Sequence, residues 1–195
     1  MGFGWPSPTS PLPKRKVFLS YSRFDRAEVE AFIFRWATGE RVFIPKVVGA
    51  FDNDVIGSSD PEYVMSQIRQ RYIGDSSVTI VLVGSCTHGR RYIDWEIKSS
   101  LRQGAVYAAN GLAGIILPSR GTSTHLPPRL AANWNAQSAN CYARYWIAPT
   151  TADEIRFIIE DAYAARTTRA HLIQNSADMM KYNVKCLVCG VTHPA

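Results

Sequence analysis

Long apolar runs are missing from this sequence. The longest, Val78 to Val83, is far shorter than the ~20 residues a membrane-spanning helix requires. The first sixteen residues, MGFGWPSPTSPLPKRK, place Lys and Arg after the apolar residues and hold no continuous apolar stretch, which excludes a secretory signal. Gly2 follows Met1, but position 6 is Pro6 where the myristoylation pattern asks for Ser or Thr. The expected location is therefore the cytoplasm. Cysteine is scarce, with four among 195 residues (Cys86, Cys141, Cys186 and Cys189), too few and too scattered for a disulfide framework. The net charge is +6, yet basic residues cluster only at Lys14–Lys16 and Arg90–Arg91, and no basic ladder interleaved with aromatics appears. Nucleic-acid binding is not expected, whereas an anionic small molecule would be served by the same mild excess.

What is present is a globular composition, 46% hydrophobic and 19% charged, in a chain long enough for one domain with extensions. Residues 1–13 hold four prolines among Gly, Ser and Thr and read as a flexible leader. KVFLSYS (Lys16–Ser22) reads as the first strand. Asp25 stands as an N-cap before Val29, Phe32, Ile33 and Trp36 at helical spacing. RVFI is a short second strand ended by Pro45. Asp60 and Pro61 open a helix with Val64, Ile68 and Tyr72 on one stripe. SVTIVLVG is apolar without alternation, as a parallel strand covered on both faces should be. A helix is expected from about Tyr92 to Gly104, then strands at Ala113–Pro118 and Ala143–Pro149. Thr151 and Glu154 form a capping box before the stripe Ile155, Ile158, Ile159, Ala162 and Tyr163. Residues 167–195 make a C-terminal extension with a short helix near Ala170–Lys181.

This alternation predicts an α/β domain over residues 14–166, a flavodoxin-like, doubly wound, five-stranded parallel sheet. Ligands of such sheets bind beyond the carboxyl ends of the strands at the switch point, which selects Ser20, Tyr21 and Ser22, the 49–59 loop, and Gly84–Thr87. Glu96 lies on the helix leaving the last of these, as an exposed residue whose first helical turns overhang the cleft.

Three segments, VFLSYSRFD, FDND and SVTIVLVGSCTHGRRYIDWEIKSSL, resemble the TIR-like domains of the Thoeris anti-phage defence system over about Lys14–Arg166. The resemblance implies an NAD-cleaving enzyme whose cyclic or conjugated ADP-ribose product activates a separate effector when a phage component is sensed. It maps the catalytic glutamate onto Glu96, the box at the end of the first strand onto Ser20 and Tyr21, and the loop acid onto Asp52 or Asp54. Ordinary TIR domains carry Trp-Cys-x-x-Glu here. In this chain Tyr92 takes the place of that tryptophan, Trp95 directly precedes Glu96, and Cys86 lies upstream. These departures place the sequence with the TIR-like branch rather than with animal or plant adaptors.

Breaking the nicotinamide–ribose bond expels a neutral leaving group through an oxocarbenium-like transition state, and a single carboxylate suits that task. Glu96 is the expected catalytic residue. Ser20, Tyr21, Asp52, Asp54, Ser85, Tyr92 and Trp95 are expected to bind substrate, with Tyr21, Tyr92 or Trp95 stacking on a ring. Arg23, Arg90 and Arg91 could meet the pyrophosphate. NAD is then a substrate, and no cofactor is required. The alternative is a non-catalytic TIR-like scaffold, and either form could self-assemble. A phosphoreceiver is disfavoured because Ser20-Tyr21-Ser22 stands where its acidic pair belongs.

CLVCGVTH gives Cys186-x-x-Cys189 with His193, the spacing of half a zinc site, for which Cys141 or His171 are candidate further ligands. Two ordinary thiols are the competing reading. A zinc deaminase is disfavoured by the missing H-x-E motif.

Overall fold

The computed structural model describes residues 13–47, 60–104, 108–122, 125–135 and 140–194. Five strands, β1 (Lys16–Tyr21), β2 (Ile44–Val47), β3 (Val78–Val83), β4 (Gly111–Ile116) and β5 (Arg144–Trp146), form one parallel sheet in the order β2-β1-β3-β4-β5. This is the flavodoxin-like order, and the chain reverses direction across the sheet between β1 and β3.

Helices cover both faces: α1 (Arg26–Ile33, continued by a π-helical turn to Gly39), α2 (Pro61–Ile68), α3 (Arg91–Ser100), α4 (Pro128–Ala132) and α5 (Ala152–Thr168). Alternation along β1 and β3 divides the core. Val17, Leu19, Val78, Ile80 and Leu82 pack with α1 and α5 through Val29, Phe32, Trp36, Ile155, Ile158 and Ile159. On the other face Phe18 meets Val64, Ile68 and Trp95, while Val81 and Val83 meet Ile93, Ile97 and Leu101. All six residues of β3 are buried, which is why its sequence runs apolar without alternation.

Local signals act where expected. The Asp60 carboxylate accepts from the Glu62 amide at 3.0 Å with Pro61 in the first turn, and Thr151 and Glu154 cap α5 reciprocally. The second strand differs: it runs Ile44–Val47, so Pro45 lies inside it. The sheet tolerates this because β2 is an edge strand, where an amide can be spared. Asp25 makes no side-chain cap on α1, and α3 ends at Ser100 rather than Gly104. Residues 170–181 hold one 3-10 turn, Ala170–Leu172, and otherwise run irregularly along α3. Among the described residues no helix is long and apolar enough to cross a membrane.

Candidate active site

Ser20 is the fifth residue of β1 and Glu96 the sixth of α3. The Ser20 hydroxyl donates to Glu96 Oε2 at 2.6 Å, and both side chains are buried. Glu96 is thus neither exposed nor without a partner, contrary to the sequence reading. α3 leaves β3 at the centre of the sheet and crosses back over β1, which turns position 96 inward. Burial pushes the Glu96 carboxyl up to about 7, against the opposing pull of the Ser20 hydrogen bond. The fold thus places a carboxyl near half-ionisation at neutral pH at the carboxyl end of β1.

Tyr21, next along β1, is half-buried, and its phenol is raised by burial, opposed by Arg26 and reinforced by the charge of Glu96. Tyr92 is half-buried, with its ring edge-on to Trp95 at 5.1 Å between centroids. Trp95 itself belongs to the core. It is 2% exposed, packs with Phe18, Val64 and Ile68, and its indole N–H donates to the Met180 carbonyl at 2.9 Å. Its ring has no open face for a ligand, which corrects the expectation that Trp95 binds substrate; Tyr21 and Tyr92 are the less buried of the three rings. Asp52 and Asp54 lie outside the described residues.

Sequence reasoning missed the use made of Asp25. Its carboxylate leans over the end of β3, accepting from Thr87 Oγ1 at 3.3 Å and from the Ser85 amide. Burial raises its pKa, with the Thr87 bond opposing. A Cβ at Gly84 would come within 2.1 Å of that carboxyl group, so only glycine permits this approach. The signal was a glycine at a strand end facing an acid after another strand. Ser85, half-buried, therefore holds Asp25 through its backbone.

Around the same strand ends, Ser22 Oγ and Arg90 Nη1 are buried with no hydrogen-bond partner among the described residues. Burial lowers the Arg90 pKa, and the nearby charge of Arg23 adds to this. Unsatisfied buried donors of this kind suit an incoming anion. Arg91 instead lies over the Tyr92 ring and reaches the Lys181 carbonyl.

The C-terminal segment is bound to α3 by polar contacts. Asp94 and Arg129 form a buried bidentate pair at 2.9 and 3.3 Å; Asp94 also accepts from the Met180 amide, and Arg129 donates to the Ala177 and Asp178 carbonyls. Further on, Cys186, Cys189 and His193 converge on Cys86, all four ligand atoms lying within 4.8 Å of one another. Cys86 takes the place offered to Cys141 or His171, neither of which joins the cluster. An open cleft of about 240 Å³ between α2, α3 and this segment is lined by Glu62, Met65, Lys98, Ser99, Arg102 and Asn175, and includes none of the residues around Glu96.

No curated protein matches the chain. Residues 18–120, just over half of it, match the family described as "Thoeris protein ThsB, TIR-like domain". That span runs from the third residue of β1 through β4 and contains Ser20, Tyr21, Asp25, the loop after β3 and Glu96. The parallel five-stranded sheet and the matched span agree, and the chain belongs to the Thoeris ThsB TIR-like family.

Proposed function

We propose that this defence-related TIR-like module cleaves NAD to nicotinamide and a cyclic or conjugated ADP-ribose, a signal read by a separate effector. The observation that carries the reading is the buried Glu96 carboxyl, held by Ser20 at the switch point of the sheet.

In the proposed reaction the bond between ribose C1′ and nicotinamide N1 breaks and its electron pair leaves with nicotinamide, which departs neutral without needing an acid. Positive charge develops on the ribose. The Glu96 carboxylate stabilises it electrostatically in a site from which water is largely excluded, where such an interaction is strong. The cationic substrate also favours the ionised form of Glu96 over the protonated form that burial promotes. A hydroxyl of the same nucleotide then bonds to C1′ and gives up its proton, which Glu96 can accept, or a ring nitrogen of that nucleotide bonds there instead; either capture gives a cyclic product. Capture by water gives free ADP-ribose. Arg90, with its unsatisfied Nη1, is the candidate for the pyrophosphate, and Tyr21 or Tyr92 for stacking.

Purified protein incubated with NAD, alone and with lysate of infected cells as trigger, should release nicotinamide. Mass spectrometry of nucleotides from infected cells should show an ADP-ribose isomer that is absent in Glu96→Gln cells. If neither appears while the protein is folded and still protects cells, the non-catalytic scaffold reading replaces this one.

A further inference from the structure

Four side chains, one from the loop after β3 and three from the C-terminal segment, meet outside the Glu96 site. Cys189 Sγ lies 3.6 Å from Cys86 Sγ, and His193 Nε2 lies 3.1 Å from each of these sulfurs. Cys186 completes the set within the common 4.8 Å limit. Zinc held tetrahedrally at about 2.3 Å from sulfur and about 2.0 Å from nitrogen requires ligand atoms roughly 3.5–3.8 Å apart. The cluster is already close to that size without any backbone movement.

The backbone around Cys186 is shaped for a thiolate. The Val188 and Cys189 amides both point at Cys186 Sγ, at 3.4 Å each. Such donors spread the charge of a liganding sulfur. The turn closes with the Gly190 amide donating to the Cys186 carbonyl at 2.9 Å, and Gly190 has φ +74°, a left-handed conformation that glycine adopts without strain. Cys-x-x-Cys-Gly is therefore a turn that presents two sulfurs to one point. Cys86 approaches from the loop after β3, and its neighbourhood is joined to the tail by the Val184 amide donating to the Gly89 carbonyl at 3.0 Å. A Cβ on Gly89 would come within 2.8 Å of the Val184 carbonyl oxygen, so the two backbones touch.

We propose that Cys86, Cys186, Cys189 and His193 bind one zinc ion in a closed, structural Cys3His site that clamps the C-terminal segment to the loop following β3. Four protein ligands leave no open position for a substrate, which separates this centre from a catalytic zinc. Each liganding thiol gives up its proton on binding, and no electron changes hands. The loop so fixed contains Cys86 and leads directly into α3, so the ion acts as a cross-link between tail and helix entry, independent of whether the protein cleaves NAD.

Untagged full-length protein purified from cytosol without added metal should contain close to one zinc per chain by elemental mass spectrometry. Zinc should be lost in Cys86→Ser and in the Cys186→Ser, Cys189→Ser double variant, and retained in Cys141→Ser, whose thiol is buried outside the cluster. Because a ligand variant could unfold, wild-type protein stripped with a chelator gives a second measurement. Cobalt added to it should show thiolate-to-metal charge transfer and the intense visible bands of a tetrahedral site. Hydrogen exchange at the Val184 and Leu187 amides should speed up on stripping and slow again with zinc. Zinc-free native protein, a Cys86–Cys189 disulfide in protein kept under cytosolic redox conditions, or full zinc in Cys86→Ser would each overturn the assignment.

Discussion

The Ser20 hydroxyl, at the end of the first strand, donates at 2.6 Å to Glu96, 76 residues later on the helix that follows the third. Both groups are buried, and the bond ties β1 to the helix that follows β3, β1 and β3 being the two strands between which the chain changes direction across the sheet. One hydrogen bond does not offset the cost of burying a carboxylate, so the carboxyl titrates near neutrality. That balance makes it both a catalytic candidate and a stability liability.

Glu96→Gln separates the two. The folded carboxyl titrates at about 7 against 4.5 for an unperturbed glutamate, so between those values the folded state holds a proton that the unfolded state has released. Wild-type stability should therefore fall as pH rises from 4.5 through 7, by on the order of 3 kcal/mol in all. The glutamine variant should lack this pH dependence and melt several degrees higher above pH 7. Its NAD cleavage should drop by ~10²-fold or more. Thermal melts and nicotinamide release across this pH range check both halves; full activity in the folded, triggered variant would remove Glu96 from the chemistry.

The same titration predicts the pH profile of the reaction. With the ionised carboxylate as the working form, kcat/KM should climb with pH and level off above about 7. Ser20→Ala removes the hydrogen bond that favours the carboxylate, so its limb should move to higher pH. An unmoved limb in Ser20→Ala would show that the rate-controlling group is not Glu96.

Trp95→Phe should cost about 1–2 kcal/mol, from the lost bond to the Met180 carbonyl and lost packing, and leave KM for NAD unchanged. Tyr92→Ala, by contrast, should raise KM if its ring is the stacking face. Chemical denaturation paired with steady-state kinetics distinguishes them. A large KM effect from Trp95→Phe would return that ring to the binding site.

Arg129→Met leaves Asp94 buried, with the Met180 amide as its remaining bond; the Asp178 carbonyl loses the Arg129 donor, while the Ala177 carbonyl keeps only Lys98. Breaking a buried pair on one side costs about 3–5 kcal/mol. Equilibrium unfolding should show a loss of that size, with proteolysis accelerated first in residues 174–183. A loss below 1 kcal/mol would mean that the tail does not depend on this pair.

Gly111→Ala tests the sheet–helix contact. A Cβ there would lie 1.8 Å from the Ala162 carbonyl oxygen, a backbone atom of α5 that no side-chain rotation can move aside. Overpacking of this kind typically costs about 1–3 kcal/mol or more, and a fall in Tm of several degrees is expected.

The sequence by itself determined the repeating strand–helix order, because each element carries its own local code. The unbroken apolar run of β3 demanded cover on both faces, Asp60-Pro61 and Thr151–Glu154 marked helix starts, and the α5 stripe had to face a sheet. It also brought Glu96 into view, through its position after the central strand. Burial of Glu96 was not legible there, since it depends on the angle at which α3 crosses β1 and on a hydroxyl 76 residues away. Trp95 shows the converse: adjacency to Glu96 in sequence suggested a ligand face, but consecutive helical positions point about 100° apart, and the fold turned the indole into the core. Asp25 looked like a helix cap because that is what an acid at such a position does locally, and only the close passage of Gly84 gave it another partner. Cys186-x-x-Cys189 with His193 was plain in the sequence as the spacing of half a zinc site. That Cys86 would meet it, 103 residues from Cys189 along the chain, was decided by packing of an irregular tail against α3, for which no periodic pattern exists to be read.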